Sequence, residues 1–354
     1  MRTPPQPVPH FAARRPARRA LLRTAWRLYG SPARLYAALR KAMRVLGHGG
    51  PSAVVGAMRR KLRTPQMPTA LLEVEATQTP VALSYEERWQ LVGHGLSTQH
   101  TVSAIILTRG NQALVETCLR SLARSLDPDA AFDVTIVNNG SAFSALNHRG
   151  LRVTIRPETR PFNWSAYNNT AAAQSAGEYL LFLNDDVQAL HGGWLDAMLA
   201  EAVQPGVGVV GAKLLYPHGR IQHIGITMDA GPEGGHPYKF EPRDTPGTLG
   251  ECLTPRAVDA VTGACLLSPK ALWKQAGGFD ALFAENYNDV DYCLRLQALG
   301  FRTVVTPLAE LIHAESATRA LRVLPRELSL FRRRWQPARS DVGPEAMEQG
   351  PRRF

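Results

Sequence analysis

No aspartate or glutamate occurs in the first 64 residues, although the same stretch holds 15 lysines and arginines. Carboxylate chemistry therefore has to lie further along the chain. The remaining residues carry 26 basic and 30 acidic side chains, a net of −4. The formal charge of +11 thus describes a basic arm attached to a mildly acidic body. Cysteine is scarce: the four (Cys118, Cys252, Cys265, Cys293) are scattered and form no C-x-x-C pair, which argues against a zinc site or disulfide framework and for a reducing compartment. No apolar run approaches the ~20 residues of a membrane-spanning helix. The basic N-terminus is not followed by an apolar core of signal-peptide type. Neither G-x-G-x-x-G nor a Walker A loop follows the first apolar strand, which weakens dinucleotide and P-loop readings. At 44% hydrophobic and 20% charged residues, the chain of 354 is able to build a large core and is not globally disordered.

In the basic arm, residues 1–64, apolar side chains recur at helical spacing. Leu21, Leu22, Ala25, Leu28 and Tyr29 form one set, and Leu35, Ala38, Leu39, Met43 and Leu46 another, with arginines between them. The pattern predicts two or three basic amphipathic helices. Two readings stay open: docking on an anionic membrane surface, or packing of the apolar faces on the main domain. No reading motif supports nucleic acid as a partner. Residues 65–100 read as a linker carrying Trp89. Residues 101–320 form the main domain, and 321–354 a C-terminal helix and tail.

Within the main domain, apolar runs at 102–108, 132–137, 151–155, 179–183, 207–212, 257–261, 265–268 and 302–306 read as strands. They alternate with helical patterns near 113–125, 163–176, 194–203 and 288–299. This alternation predicts an α/β fold with a mostly parallel, Rossmann-like sheet and right-handed crossovers. The Gly- and Pro-rich stretch 213–255 reads as a variable loop region with a hairpin; its His218, His223 and His236 match no standard ligand spacing. The run at 179–183 leads straight into Asn184, Asp185 and Asp186. A continuous apolar run is buried on both faces, and ligands of open α/β sheets bind at the carboxyl ends of strands. Two adjacent acids there repel each other. A divalent cation bridging to a diphosphate offsets the repulsion, because Mg²⁺ and Mn²⁺ favour carboxylate and phosphate oxygens. Taken alone, the triplet fits a polar turn after a core strand better, because such turns are common.

Several further motifs accompany it in order. Thr108-Arg109-Gly110-Asn111 follows the first strand, and Asn138-Asn139-Gly140-Ser141 the second. Phe162-Asn163-Trp164-Ser165-Ala166 leads to Asn168-Asn169. Gly263-Ala264-Cys265 precedes Gly277-Gly278-Phe279-Asp280, then Asn288-Asp289-Val290-Asp291, and His313-Ala314-Glu315-Ser316 closes the set. Over about residues 100–320 this set resembles the family 2 glycosyltransferases of the GT-A fold, in particular the bacterial polysaccharide branch with rhamnosyl- and galactofuranosyltransferases.

The resemblance implies an enzyme of that fold class, with the arm as a basic helical extension. It also implies an inverting transfer from a nucleoside-diphosphate-sugar donor to a saccharide or lipid-linked acceptor, with Mn²⁺ or Mg²⁺. Asp186 and His313 match metal ligands, and Asp289 the catalytic base. Asn184 and Asp185 would approach ribose and diphosphate; Thr108, Arg109, Asn111, Asn138, Asn139 and Asn168 complete the donor set. Such an enzyme would work in the cytoplasm or at the inner face of the plasma membrane. Chemistry agrees with two separated acidic loci: a sugar hydroxyl needs a positioned base, and a departing diphosphate needs its charge stabilised. Asp291 and Arg295, four apart, also fit a simple intrahelical pair. Two positions depart from the family pattern: Asn138 stands where many relatives have an aspartate that reads the nucleotide base, and Asn288 where many have glutamate. Competing classes are a sugar nucleotidyltransferase, whose Gly-rich basic loop is not matched by 108–111, and a non-catalytic carbohydrate- or membrane-binding module.

Overall fold

The most apolar runs of the sequence become the centre of one sheet. In a computed structural model, residues 95–228, 234–248, 250–315 and 323–335 are described. The basic arm at 1–64, most of the linker at 65–100 and the tail beyond 335 lie outside them. After a single helical turn, α1 (Leu96–Gln99), strand β1 (Val102–Thr108) lies between β2 (Phe132–Asn138) and β4 (Tyr179–Asn184), parallel to both. Ile105 sits beside Thr135 on one side and Phe182 on the other. Leu180, Leu181 and Phe182 are fully buried, as a run without polar alternation requires.

The remaining strands are β3 (Arg152–Pro157), β5 (Val187–Ala189), β6 (Val207–Leu215), β7 (Ile221–His223), β8 (Arg256–Val258), β9 (Cys265–Pro269) and β10 (Arg302–His313). The main order is β3-β2-β1-β4-β9-β6-β10-β5, with β7 beside β6 and β8 beside β10. Strands β3, β2, β1, β4, β6 and β10 run in one direction, and β9 and β5 run against them. The sheet is therefore mostly parallel, as the alternating pattern predicts.

Helices α2 (Gln112–Ser125) and α4 (Trp194–Ala202) cover one face, where Leu119, Leu122, Trp194 and Met198 meet Ala104, Ile106 and Leu181. Helices α3 (Trp164–Gln174), α5 (Lys270–Gln275) and α6 (Asn288–Ala298) contribute to the other, where Tyr167, Trp273 and Tyr292 join Ile105, Phe182 and Phe279. A final helix, α7 (Pro325–Trp335), places Phe331 in this second layer. Each fully buried Leu or Phe of these layers contributes about 1.5–3 kcal/mol. No helix among the described residues is long and apolar enough to cross a membrane.

The structure corrects three readings of the sequence. The last strand does not end at Thr306 but continues to His313, because a register slip between Thr306 and Glu310 accommodates Pro307, which has no N–H to donate. Strand β6 likewise runs three residues past Ala212, so Lys213 belongs to a buried strand and not to a variable loop. Its charge is matched there by Glu310, 3.0 Å away, which also binds Arg243. The strand at 257–261 is shorter, ending at Val258.

Candidate active site

The carboxyl ends of β1, β2 and β4 lie side by side, with Thr108 beside Asn138 and Leu107 beside Asn184. Beyond them the chain makes a tight floor. A Cβ on Gly140 would lie 2.0 Å from the Arg109 carbonyl oxygen, and one on Gly110, at φ 84°, 2.5 Å from the Ser141 nitrogen. Only glycine lets these two backbones touch. Four candidate amides are engaged in building this region. Asn111 caps α2 by accepting from Leu114 N–H at 3.2 Å. Asn138 accepts from Gly140 N–H and donates to the Ser141 carbonyl. Asn139 donates to the carbonyls of Glu158 and Arg160. Asn168, buried within α3, donates to the Trp164 carbonyl one turn back. Arg109 lies exposed, its guanidinium 4.2 Å above the Phe162 ring. Thr108 is buried and its hydroxyl makes no hydrogen bond.

The acidic locus is assembled from β4, β5, β7 and β10. His313 pairs with Val187 across the β5–β10 ladder, and Ala314 N–H donates to the Asp186 carbonyl at 3.1 Å. This brings the His313 Nε2 to 3.1 Å from Asp186 Oδ1 and 3.2 Å from Asn184 Nδ2. On the other side of the ring, Nδ1 lies 2.6 Å from Gln222 Oε1. The Gln222 amide nitrogen donates to the His313 carbonyl, so its oxygen is the atom facing the ring. Nδ1 therefore carries a hydrogen, and Nε2 is turned toward the carboxylate. Nε2 is thereby placed to accept from the Asn184 amide or to share a cation with the Asp186 carboxylate. A histidine whose other nitrogen is fixed by a neighbour is the usual arrangement of a metal ligand.

Asp185 adds a second carboxylate to the locus. Its Oδ2 is buried and has no hydrogen-bond partner. Burial is the main reason its pKa is raised, to about 6; the neighbouring Asp186 adds to the rise. The Thr108 hydroxyl works against it, although the two do not meet in hydrogen-bond geometry. Two buried carboxylates, one orphaned oxygen and an oriented imidazole fit a hard or borderline divalent ion such as Mg²⁺ or Mn²⁺. Among the described residues no group of three or more His, Cys, Asp or Glu side chains, these included, is arranged to hold a metal ion, so phosphate oxygens and water would have to complete any such site.

The second locus is Asp289, in the first turn of α6. The residue before the helix, Tyr287, has φ 61°, an unusual conformation for a bulky side chain. Asp289 Oδ1 accepts from Val290 N–H at 2.8 Å and Oδ2 from Gly263 N–H at 2.7 Å. The adjacent Ala264 carbonyl accepts from Asn184 N–H at 3.1 Å. A single dipeptide, Gly263-Ala264, thus ties the base candidate to the end of the strand that bears the acidic locus. A Cβ on Gly263 would lie 2.9 Å from the Trp164 ring.

Several supports of this region had no signal in the sequence. Glu327 of α7 is 3% exposed and accepts the backbone N–H groups of Ala284, Glu285 and Asn286 at 2.8, 3.1 and 2.7 Å. It so fixes the segment that leads into Asp289. The expected Asp291–Arg295 pair is present at 2.8 Å. Asp291 is fully buried and also accepts from Arg334 and Trp335 of α7 at 2.7 and 3.0 Å. His223 Nε2 accepts from Gly225 N–H and Thr262 N–H, so it buttresses the turn before Gly263. Burial, then the nearby His236, Lys239, His313 and Arg256, hold its pKa well below the ordinary value.

The chain is similar to known proteins. The family described as Glycosyl transferase family 2 matches residues 103–274. The chain is 35% identical over 257 residues to an O-antigen biosynthesis protein of Myxococcus xanthus, covering 70% of this chain and 19% of that protein. It is 31% identical over 211 residues to an N-acetylglucosaminyl-diphospho-decaprenol L-rhamnosyltransferase of Mycobacterium tuberculosis, covering 53% of this chain and 68% of the relative. It spans only 19–29% of the length of the longer curated relatives it matches. Among solved structures, GalNAc-T7 with UDP, GalNAc and Mn²⁺ shares the fold at a TM-score of 0.50 and 11% identity, over 71% of this chain and 56% of that one. The mostly parallel sheet, the order of the motifs along it and these likenesses agree: the chain belongs to glycosyltransferase family 2.

Proposed function

We propose that the chain is a metal-dependent, inverting glycosyltransferase that moves a sugar from a nucleoside diphosphate to a saccharide or lipid-linked acceptor in cell-surface polysaccharide synthesis. The observation that carries this reading is the buried Asp185–Asp186–His313 cluster, tied to Asp289 through Gly263-Ala264. In this reading Asp186 and His313 hold the ion, and Asp185 and Asn184 face the ribose and diphosphate. When bound, the ion supplies positive charge to the departing diphosphate. Thr108, with its unpartnered hydroxyl, and Arg109 contact the donor. Asn111, Asn138, Asn139 and Asn168 serve by shaping the floor on which it rests.

Asp289 takes the proton of the acceptor hydroxyl. Each of its oxygens accepts one backbone N–H, which fixes the carboxylate in place for that transfer. The acceptor oxygen bonds to the anomeric carbon as the bond to the diphosphate breaks. One in-line displacement inverts the configuration. A screen of nucleotide sugars for nucleoside diphosphate release, with Mn²⁺ or Mg²⁺, tests the reading. Metal-dependent release from at least one donor is expected; none from any donor would contradict it.

We further infer that the basic arm holds the enzyme at the anionic inner face of a membrane, near a lipid-linked acceptor. Support comes from 15 basic residues without an acid, interleaved with apolar ones. Each such charge contributes ~1 kcal/mol near an anionic surface. Sedimentation with anionic vesicles at physiological salt is expected for the full chain. Loss of that sedimentation is expected after truncation near Ser84. A full chain that ignores the vesicles would refute the inference.

A further inference from the structure

Among the described residues, five that are not glycine have positive φ: Arg149, Tyr238, Phe240, Tyr287 and Glu315. Tyr287 precedes the base candidate. Three of the others belong to one feature. Phe240 (φ 73°) and Glu315 (φ 43°) both touch Tyr216, and Tyr238 (φ 59°) starts the turn that carries Phe240. Bulky side chains rarely adopt this conformation, and such outliers gather at functional sites when the surroundings hold them.

The feature sits at the carboxyl edge of the sheet. Tyr216 follows β6 directly, and β6 runs parallel to β10 with Leu215 beside Ile312, so Tyr216 emerges next to His313. The Phe240 ring stacks on the Tyr216 ring, 5.2 Å between centroids and 2° between planes. His218 lies tilted against the same tyrosine at 5.1 Å. The Lys239 ammonium lies 5.7 Å and 5.5 Å from the two ring centroids. Glu315 accepts from the Tyr216 hydroxyl at 2.5 Å and pairs with Lys239 at 3.3 Å. Phe240 nevertheless remains 37% exposed. Packing alone gives no reason to hold an exposed phenylalanine in a left-handed turn, where glycine or asparagine fits without strain.

We propose that Phe240, backed by Tyr216, is a stacking platform for a sugar ring of the acceptor, with Glu315 and Lys239 binding hydroxyls at its rim. A pyranose has an apolar C–H face that packs on an aromatic ring and a girdle of hydroxyls. The carboxylate accepts from those hydroxyls and the ammonium donates to them. The platform lies beside the His313 ion locus and away from the Thr108–Asn138 floor, a place open to a second sugar. The Thr108–Asn138 floor proposed for the donor lies to one side of β4, and β6 and β10 lie to the other. This inference rests on the glycosyl-transfer reading above.

The test uses the full chain and saturation-transfer NMR with three probes: methyl α-L-rhamnoside, methyl β-D-galactoside and methyl N-acetyl-β-D-glucosaminide. Transfer to ring C–H protons of at least one probe is expected with the wild type and with Phe240→Tyr. With Phe240→Ala, affinity for that probe should fall about tenfold, the worth of one aromatic stacking contact. Calorimetry with UDP and dTDP plus Mn²⁺ should give Phe240→Ala the wild-type affinity within about twofold. The platform is overturned if no probe binds the wild type, if Phe240→Ala binds as well as the wild type, or if that variant loses nucleotide affinity. Asp186→Ala separates the two readings. If it leaves metal-dependent nucleotide binding intact, the ion-site assignment in the proposed function fails. If it abolishes that binding while Phe240→Ala changes nothing, only the platform fails.

Discussion

Replacing Glu327 with alanine should loosen the approach to Asp289 without touching any group proposed to contact donor or ion. The carboxylate, 3% exposed, accepts three backbone N–H groups from consecutive residues. Hydrogen bonds to a charged acceptor contribute roughly 1.5–3 kcal/mol each, and they do not add fully when they share one acceptor. The three donor residues are half-buried, so water replaces part of what is lost. The expected destabilisation is therefore about 2–4 kcal/mol. In Glu327→Gln one amide oxygen remains. It can serve Ala284 and Glu285, which share Oε1, but the amide nitrogen then opposes Asn286 N–H. The glutamine variant should lose about half as much. Urea denaturation of the three proteins measures both numbers. Turnover of the alanine variant should fall while nucleotide affinity stays at the wild-type level, because the segment leads into the proposed base and not into the proposed ion site. A destabilisation below about 1 kcal/mol would show that the three bonds do not hold the segment. Equal losses in the alanine and glutamine variants would refute the reasoning about individual acceptors.

Two further outcomes follow from the same geometry. Asp289→Asn should keep metal-dependent nucleotide binding and lower turnover by ~10²-fold or more; near-normal turnover in a transfer assay would place the base elsewhere. His223, held neutral by burial with a pKa well below 6.5, should make the fold acid-sensitive. The unfolded chain takes up a proton there as the pH falls through 6.5 and the folded chain does not. The stability present above that value is thus lost progressively below it. Urea midpoints at about pH 7.5 and pH 5 should differ less in His223→Gln than in the wild type, and an unchanged difference would remove His223 from the acid response.

What the sequence made legible was local. The runs at β1, β2 and β4 are continuous because both faces of a central strand are buried, and Asn184-Asp185-Asp186 stands out because polar residues end such a run abruptly. What was hidden depends on pairings that no local period encodes. Gln222 meets His313 across 91 positions, and Gly263 meets Asp289 across 26. Gln222 lay in a stretch read as a variable loop, because glycine and proline dominate its neighbourhood. Glu327 looks like any surface glutamate of a basic helix until α7 is seen against the 284–286 segment. The extension of β10 past Pro307 was masked by the proline itself, which ordinarily ends a strand. The buried Lys213–Glu310 pair was unreadable for a related reason: each partner alone resembles a solvated charge.

The proposed chemistry turns on the buried acidic cluster binding a nucleoside diphosphate through a divalent ion. Calorimetric titration of UDP and dTDP into wild type and Asp186→Ala, each with and without Mn²⁺, tests it most directly. Mn²⁺ should raise wild-type affinity for at least one nucleotide by about tenfold or more, and the variant should lose this increment while remaining folded. Metal-dependent affinity that survives unchanged in Asp186→Ala would contradict it.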